Sequence, residues 1–195
     1  MEFIWIVILM VIDQVSKFVI AGNPAKFSNL EIIPGFFYLT YVKNTGAAWS
    51  MLAGQRTLLS LIAAIAIIAM TLALKKMRKK KNRLASAALV LMIAGAAGNL
   101  ADRLMFGYVR DFLHFYPFGY DFPVFNFADM CLCVGVGLLI LSTILEKDEE
   151  EENDAEDEDA EEEEEPLLPK RDLTPGTKVI EPEVIEPKKD RTGVD

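Results

Sequence analysis

Between two long apolar segments the chain carries the sequence GNLADRLMFGYVRDFLHFYPFGYDFPVFNFAD, which runs from Gly98 to Asp129. This stretch combines several aspartates with other polar residues, namely Asp102, Asp111, Asp121, Asp129, Asn99, Arg103 and Asn126. Acidic side chains beside a bilayer are costly to hold, and they usually serve chemistry or transport. A function for this chain therefore has to explain why several carboxylates lie at one edge of a membrane.

The composition divides the chain into two parts. The 195 residues are 52% hydrophobic and carry a formal net charge of -9, but these values average two unlike regions. The chain is apolar up to about Leu145, whereas Glu, Asp and Pro dominate from Glu146 onward. Because the second region has too few large apolar residues to form a core, it is predicted to be a disordered tail. We expect a membrane domain over residues 1–147 and a disordered acidic, Pro-rich tail over residues 148–195.

Four segments are long and apolar enough to be predicted as transmembrane helices: residues 3–20, 58–74, 84 to about 104, and 126–145. The first is interrupted by Asp13 and Lys17, which are four residues apart and are therefore predicted to pair on one helix face. The third contains the small-residue run AGAAG at residues 94–98, which favours close helix packing. The predicted fold class is a mainly α membrane protein with four transmembrane helices.

The connecting segments predict the orientation. The sequence KKMRKKKNR, residues 75–83, is a short basic loop, and such loops lie in the cytoplasm. Both termini are then cytoplasmic, while the segments 22–56 and 106–127 are external. The polar clusters consequently gather at the outer face, with Asp13 pointing toward them from the first helix. We expect no nucleic-acid partner for the basic loop, because membrane helices flank it on both sides.

The two external segments differ in their patterns. Residues 36–42, FFYLTYV, are aromatic and β-branched and predict a short sheet or hairpin. Residues 106–127 are rich in Phe and Tyr, which is typical of a segment lying at the headgroup level, and Trp49 is a natural interface residue. Asn126 is predicted to cap the fourth helix, with Asp129 in its first turn, where the helix dipole favours a negative charge.

Among possible chemistries, paired carboxylates fit the sequence best. No GxSxG or HExxH motif occurs, His114 is the only histidine, and a pairing of Ser16 or Ser50 with Lys17 has no supporting spacing. Two neighbouring aspartates cannot both ionise easily and so share one proton. The ionised member takes a proton from water as the water attacks a carbonyl, while the protonated member polarises that carbonyl. The spacing of these residues does not decide between two possible catalytic pairs, Asp111 with Asp129 and Asp102 with Asp129.

Two other classes of protein have to be compared with a protease. A proton-coupled carrier would use Asp13 and Asp129 as relay acids, but its polar groups should be spread through the membrane depth. A membrane adaptor would recruit partners through the acidic tail, but it leaves the external polar cluster without a purpose. The gathering of polar residues at one edge favours the hydrolytic interpretation.

Five blocks of sequence resemble those of lipoprotein signal peptidase, or signal peptidase II, and occur in the same order as in that family. They are DQVSK at residues 13–17, NTGAAWSM at 44–51, GNLADR at 98–103, VRDFLHF at 109–115 and FNFAD at 125–129. The resemblance covers the chain to about Leu145 and leaves the tail outside. It implies an aspartic protease of the bacterial cytoplasmic membrane, with its active site at the outer face and a small extracytoplasmic β-cradle around residues 36–50.

The resemblance also implies a substrate and roles for individual residues. The substrate would be a diacylglyceryl-modified prolipoprotein, cut just before the lipidated cysteine. Asp111 and Asp129 would be the catalytic pair. Residues that orient this pair or bind substrate would be Asp13, Asn44, Asn99, Asp102, Arg103 and Asn126. Because water is the nucleophile, no metal or organic cofactor is expected, and the expected partners are the prolipoprotein and membrane lipid, with the protein itself monomeric.

Overall fold

The computed structural model describes residues 1–46 and 51–163, and it describes side chains as far as Glu146. Within these residues the chain is mainly helical, with four helices long and apolar enough to cross a membrane and one three-stranded sheet. The predicted fold class is therefore confirmed. The predicted interface residue Trp49, together with Ser50, lies outside the described residues.

The four long helices follow the predicted spans closely. They are α1 (Glu2–Ala21), α2 (Arg56–Lys79), α3 (Arg83–Phe106) and α4 (Phe127–Glu163). The helix α4 continues past the predicted end at Leu145 into the acidic segment for which disorder was expected, where glutamate is itself a good helix former. The remaining part of the predicted tail, residues 164–195, lies outside the described residues. The chain divides into two compact units, Met1–Asp154 and Ala155–Asp195, and the site described below lies in the first.

The helix α3 is the centre of the first unit. It packs against both α1 and α2 and is mostly buried, whereas the other three helices expose most of their apolar side chains. The predicted small-residue face of α3 accounts for its close contacts with α1 and α4. A β-carbon at Gly95 would collide with the backbone of Ala128, and one at Gly98 would lie 2.5 Å from the Asp13 carboxylate. These two glycines allow α1 and α4 to approach α3 where the polar residues gather.

The sheet consists of three antiparallel strands in the order β1 (Leu30–Ile33), β2 (Phe37–Asn44) and β3 (Val109–Phe115). The sequence predicted a sheet at residues 36–42, which corresponds to most of β2. It did not predict β3, because the aromatic residues of segment 106–127 indicated only a position at the membrane interface. The strand β3 follows α3 directly, since Gly107 ends that helix in the left-handed conformation with φ of 86°.

After β3 the chain folds back along the same strand. Phe125 forms an isolated antiparallel bridge with Leu113, in which each backbone N–H donates to the other residue's carbonyl at 3.0 and 2.8 Å. The residue that follows, Asn126, and the start of α4 are therefore placed beside Asp111 of β3. This reversal brings together two aspartates that are well separated in the sequence.

Candidate active site

Asp111 lies on β3 and is held by two asparagine side chains. Asn126 Nδ2 donates to Asp111 Oδ1 at 2.6 Å, and Asn44 Nδ2 donates to Asp111 Oδ2 at 2.9 Å. Asn44 is the last residue of β2, and Asn126 precedes α4, so two neighbouring elements fix both oxygens of one carboxylate. The Asp111 side chain is thus held in one orientation by contacts that do not depend on a substrate.

Asp129 lies in the first turn of α4 and forms a reciprocal cap with Asn126. Asn126 Oδ1 accepts a hydrogen bond from the Asp129 backbone N–H at 3.1 Å, and Asp129 Oδ2 accepts one from the Asn126 backbone N–H at 3.1 Å. The predicted cap is therefore present. The second oxygen, Asp129 Oδ1, accepts a bond from Asn99 Nδ2 of α3 at 2.7 Å. A further bond, from Asn126 Nδ2 to Asn99 Oδ1 at 3.2 Å, joins these amides into one network.

Both carboxylates line one cavity of about 710 Å³, which we call the aspartate cavity. Its polar lining comes from Asp111, Asp129, Asn44, Asn99 and Arg103. Its remaining lining is apolar and includes side chains of α2 and α4, among them Leu59, Ile62, Leu132 and Val134. The cavity therefore combines two acids at one end with an apolar wall that is formed by membrane-spanning helices.

The surroundings of Asp111 change its acidity. Burial and the negative charge of Asp129 raise the pKa of Asp111 to about 7, although the amides of Asn44 and Asn126 and the ammonium of Lys17 act in the opposite direction. A carboxyl with this pKa keeps a proton well above the pH at which a free aspartate ionises. The pair can therefore hold one proton near neutral pH, which an acid–base mechanism needs.

Asp102 does not face the aspartate cavity but binds Arg110. The guanidinium of Arg110 donates through Nη2 to Asp102 Oδ1 at 2.7 Å and through Nε to Oδ2 at 3.1 Å, and the Arg110 backbone N–H adds a bond at 2.9 Å. Asp102 therefore pairs with Arg110 of β3 and not with its sequence neighbour Arg103. Adjacent helical residues point in different directions, so Arg103 turns to the cavity and donates to the Gly46 carbonyl at 3.0 Å.

Behind the aspartates a second polar cluster lies between α1, α3 and α4. Lys17 Nζ is fully buried and contacts Asp13 Oδ2 at 2.9 Å, Asn99 Oδ1 at 2.9 Å and Asp102 Oδ2 at 3.7 Å. The predicted pairing of Asp13 with Lys17 is therefore confirmed. Asp13 Oδ1 also accepts from the Ala128 backbone N–H at 3.0 Å, which ties α1 to the first turn of α4. This cluster fixes the side chain that holds Asp129, because Lys17 occupies the Asn99 oxygen and leaves the Asn99 amino group for Asp129.

Known proteins resemble this chain both in sequence and in fold. A family model described as signal peptidase (SPase) II matches residues 5–145. The lipoprotein signal peptidase of Symbiobacterium thermophilum is 45% identical over 141 residues, which cover 72% of this chain and 92% of that protein. The lipoprotein signal peptidase of Staphylococcus aureus is 39% identical over 140 residues, which cover 72% of this chain and 85% of that protein. This chain belongs to the signal peptidase II family.

The fold agrees with this membership. Two solved structures described as bacterial membrane enzymes match with TM-scores of 0.68 and 0.63, at 36% and 37% sequence identity. They cover 75% and 73% of this chain, and the matches extend over 88% and 91% of those chains. The resemblance that the five sequence blocks indicated is thus supported by both sequence and structure. The chain is a multi-pass membrane protein of the signal peptidase II family.

In this member of the signal peptidase II family, the structure brings together most of the residues predicted for the site. Those that line the aspartate cavity are Asn44, Asn99, Arg103, Asp111 and Asp129, and Asn126 forms hydrogen bonds with three of them, Asn99, Asp111 and Asp129. Asp13 and Asp102 lie behind the cavity with Lys17. The sequence did not predict a role for Arg110 or Gln14, although Gln14 Oε1 accepts from Arg110 Nη2 at 2.9 Å. The sequence signal that could have identified this pair is the position of an arginine within an aromatic segment between two apolar helices.

Two other residues considered for chemistry have structural partners. His114 Nε2 lies 2.7 Å from Asp121 Oδ1, and His114 Nδ1 lies 3.2 Å from Thr40 Oγ1, so this histidine joins β2, β3 and the following loop. Ser16 Oγ donates to the Asp13 backbone carbonyl at 2.8 Å, while the Lys17 ammonium binds Asp13 and Asn99. Ser16 and Lys17 therefore do not form a nucleophile–base pair.

Proposed function

We propose that this chain is a membrane aspartic endopeptidase that removes the signal peptide from diacylglyceryl-modified prolipoproteins, cutting just before the lipidated cysteine. Its catalytic pair is Asp111 and Asp129. The observation that supports the proposal is the network of Asn126 and Asn99, which holds both carboxylates at the polar end of one apolar-walled cavity. Membership of the signal peptidase II family supports the substrate class.

The proposed reaction uses one proton held by the pair. A water molecule attacks the carbonyl carbon of the scissile peptide bond, and the ionised carboxylate takes a proton from that water. The protonated carboxyl gives its proton to the carbonyl oxygen, which produces a neutral tetrahedral gem-diol. The C–N bond then breaks as the amide nitrogen receives a proton from one carboxyl, and a gem-diol hydroxyl returns its proton to the other. The two products carry a new carboxyl terminus and a new amino terminus, and the pair of aspartates again holds one proton.

The other cavity residues have supporting roles in this proposal. Asn44 and Asn126 fix the two oxygens of Asp111, so that this carboxyl needs little reorganisation during the reaction. Arg103 lines the cavity beside both acids and holds the Gly46 carbonyl. We propose that Asn99 orients Asp129 from the wall of the cavity. Asp13 and Asp102 support Asn99 from behind the cavity, through the contacts that Lys17 makes to all three residues.

The apolar wall fits a substrate that is itself anchored in lipid. The side chains of α2 and α4 that line the aspartate cavity offer apolar surface to the signal peptide or to the acyl chains. A diacylglyceryl group fixes the depth of the scissile bond in the membrane, so the bond meets the acids without crossing the bilayer. Binding energy from these lipid contacts is remote from the reacting bond and can be used to position it.

We also propose the orientation of the protein in the cytoplasmic membrane. The basic segment at residues 75–83, predicted as a loop, consists of the last residues of α2, the short turn at residues 80–82 and the first residue of α3. It lies at the ends of these helices that are away from Asn99 and Arg103. If this loop is cytoplasmic, both termini are cytoplasmic and the catalytic pair lies at the outer face. The three-stranded sheet is then the extracytoplasmic cradle. We further propose that the protein acts as a monomer, since both carboxylates of the pair have hydrogen-bond partners within their own chain.

A cleavage assay on two matched peptides tests this function. The purified protein in micelles is given a lipobox peptide whose cysteine carries diacylglycerol, and separately the same peptide without lipid. We expect cleavage immediately before the cysteine, with kcat/KM at least about tenfold lower for the unlipidated peptide because remote binding energy is lost. Mass spectrometry of the products identifies the cut bond. Equal cleavage of both peptides, or a cut elsewhere, would contradict the proposed specificity.

The pKa of Asp111 predicts how the reaction depends on pH. Because the pKa of Asp111 is raised to about 7, the pair keeps its shared proton below about pH 7 and loses it as the pH rises above that value. We expect kcat/KM to fall above about pH 7 and to approach a slope of about tenfold per pH unit. Replacing Asn44 by Ala removes a donor that favours ionised Asp111, so the fall should move to higher pH. A rate that increases steadily into the alkaline range would exclude a required proton on this pair.

A further inference from the structure

A second cavity, of about 660 Å³, lies at the opposite end of the helix bundle from the aspartates, and we call it the loop-side cavity. It is formed where the start of α1 approaches the end of α2 and the beginning of α3. Its wall includes the apolar side chains of Trp5, Leu9, Val90 and Leu91. The proposed proteolytic reaction uses none of these residues.

The rim of the loop-side cavity is positively charged. Arg78, Lys81 and Arg83 all border it and all have exposed side chains. Among the described residues that line the cavity, Glu2 is the single acidic one, and Arg78 Nε already contacts it at 3.2 Å. Among the described side chains, no carboxylate forms an ion pair with Lys81 or Arg83. The cavity therefore has an excess of cationic groups available to an anion.

The polar groups at the start of α3 do not compete for such a ligand. Asn82 Oδ1 accepts from the Ala85 backbone N–H at 2.8 Å, and Asn82 Nδ2 donates to Ser142 Oγ at 2.8 Å. Ser86 Oγ donates to the Asn82 carbonyl at 2.7 Å. Since these side chains are satisfied internally, recognition at the rim is left to Lys81 and Arg83, together with Arg78, which Glu2 already contacts.

The combination of rim and wall defines the chemistry of the ligand. A soluble anion would gain nothing from the apolar wall, and a neutral apolar molecule would gain nothing from the cations. A phospholipid with net negative charge uses both, because its phosphate can meet the rim while an acyl chain lies along α1 and α3. Basic pockets between transmembrane helices are known to bind such head groups. Trp5, whose exposed fraction is 58%, would border the acyl chain.

We propose that the loop-side cavity binds one anionic phospholipid from the leaflet on the side of the basic loop. The bound lipid would join α1 to the turn between α2 and α3. This inference depends on the membrane-spanning helices but not on the proteolytic reaction, so its failure and that of the proposed function are separate outcomes.

Quenching of Trp5 fluorescence by brominated lipids tests the proposal. The chain has two tryptophans, so the Trp49→Phe variant leaves Trp5 as the only reporter. The full chain is placed in phosphatidylcholine vesicles that contain a minor fraction of brominated phosphatidylglycerol or, separately, the same fraction of brominated phosphatidylcholine. We expect phosphatidylglycerol to quench Trp5 with at least about a tenfold higher apparent affinity, given three cations at the rim.

Two matched variants separate a site from diffuse attraction. Replacing Arg78, Lys81 and Arg83 together by Gln should remove the preference for phosphatidylglycerol. Replacing Lys75, Lys76 and Lys79 by Gln removes the same charge from the same region but outside the lining, and it should leave most of the preference. Circular dichroism and gel filtration establish that both variants are folded. Equal loss in the two variants would overturn the proposal.

Two further measurements test whether something other than a phospholipid occupies the loop-side cavity. Millimolar inorganic phosphate should not relieve the quenching; relief would show a simple anion site and overturn the proposal. The chain truncated after Lys147 should show the same preference as the full chain. A preference that emerges only after truncation would show that the acidic tail occupies the cavity in the full chain, and would also overturn the proposal.

Discussion

Replacement of Asp111 by Asn is expected to reduce cleavage of a lipidated lipobox peptide by about 10²–10⁴-fold or more, the usual contribution of a positioned acid or base. Asn can neither hold nor release the shared proton, yet it has the same shape as Asp. The Asp129→Asn variant is expected to lose activity to a similar extent, because the two carboxyls act as one unit. Initial rates with purified variants in micelles measure both effects.

A third aspartate provides the matched control. Asp121 lies in the same segment after β3, but its side chain is 73% exposed and pairs with His114. The Asp121→Asn variant should therefore retain cleavage within a few-fold of the unmodified chain. If Asp111→Asn were nearly as active as the unmodified chain while Asp102→Asn was inactive, the catalytic pair would have to be reassigned to Asp102 and Asp129.

Replacement of Lys17 by Met is expected to lower the free energy of unfolding by about 3–5 kcal/mol, the typical cost of breaking a buried ion pair. Met has a comparable length but no charge, so Asp13 would lose its ammonium partner in a site that excludes water. Asp102 would still have Arg110. Denaturant or thermal unfolding in micelles, followed by circular dichroism, measures the change.

Two variants determine whether this loss comes from the buried charge. Lys26 is exposed and should tolerate replacement by Met with a change of less than about 0.5 kcal/mol. The double variant Lys17→Met with Asp13→Asn removes both charges, so it should recover part of the stability that the single variant loses. If the Lys17→Met variant has the same free energy of unfolding as the unmodified chain, the buried ammonium contributes little to stability. The statement that Lys17 fixes the Asn99 side chain would then be contradicted as well.

The sequence predicted best those features that depend on neighbouring residues. The helix spans follow from apolar length, the pairing of Asp13 with Lys17 follows from their spacing, and the capping of α4 by Asn126 follows from local backbone geometry. The close packing at Gly95 and Gly98 was also predicted, because a run of small residues has few other uses in a membrane helix. Each of these features is indicated by residues that are close together in the sequence, although the contacts at Gly95 and Gly98 are made with other helices.

Features that depend on distant parts of the chain could not be predicted in the same way. Spacing did not distinguish Asp102 from Asp111, since the difference arises when Arg110 folds back from β3 onto the end of α3. The strand β3 was hidden by its aromatic composition, and Lys17 gave no sign that it would reach Asn99 in another helix. The resemblance to signal peptidase II indicated Asp111 where the physical pattern left two choices open.

The buried contacts of Asp13 have a consequence for how the protein is made. This carboxylate accepts a hydrogen bond from the backbone of Ala128, and its lysine neighbour reaches Asn99, so the first helix to enter the bilayer obtains its polar partners from segments translated much later. Until those segments insert, the Asp13–Lys17 pair of α1 lacks its later hydrogen-bond partners, Ala128 and Asn99. Assembly of the aspartate cavity and closure of the bundle would consequently be a single cooperative step, completed when the last helix inserts.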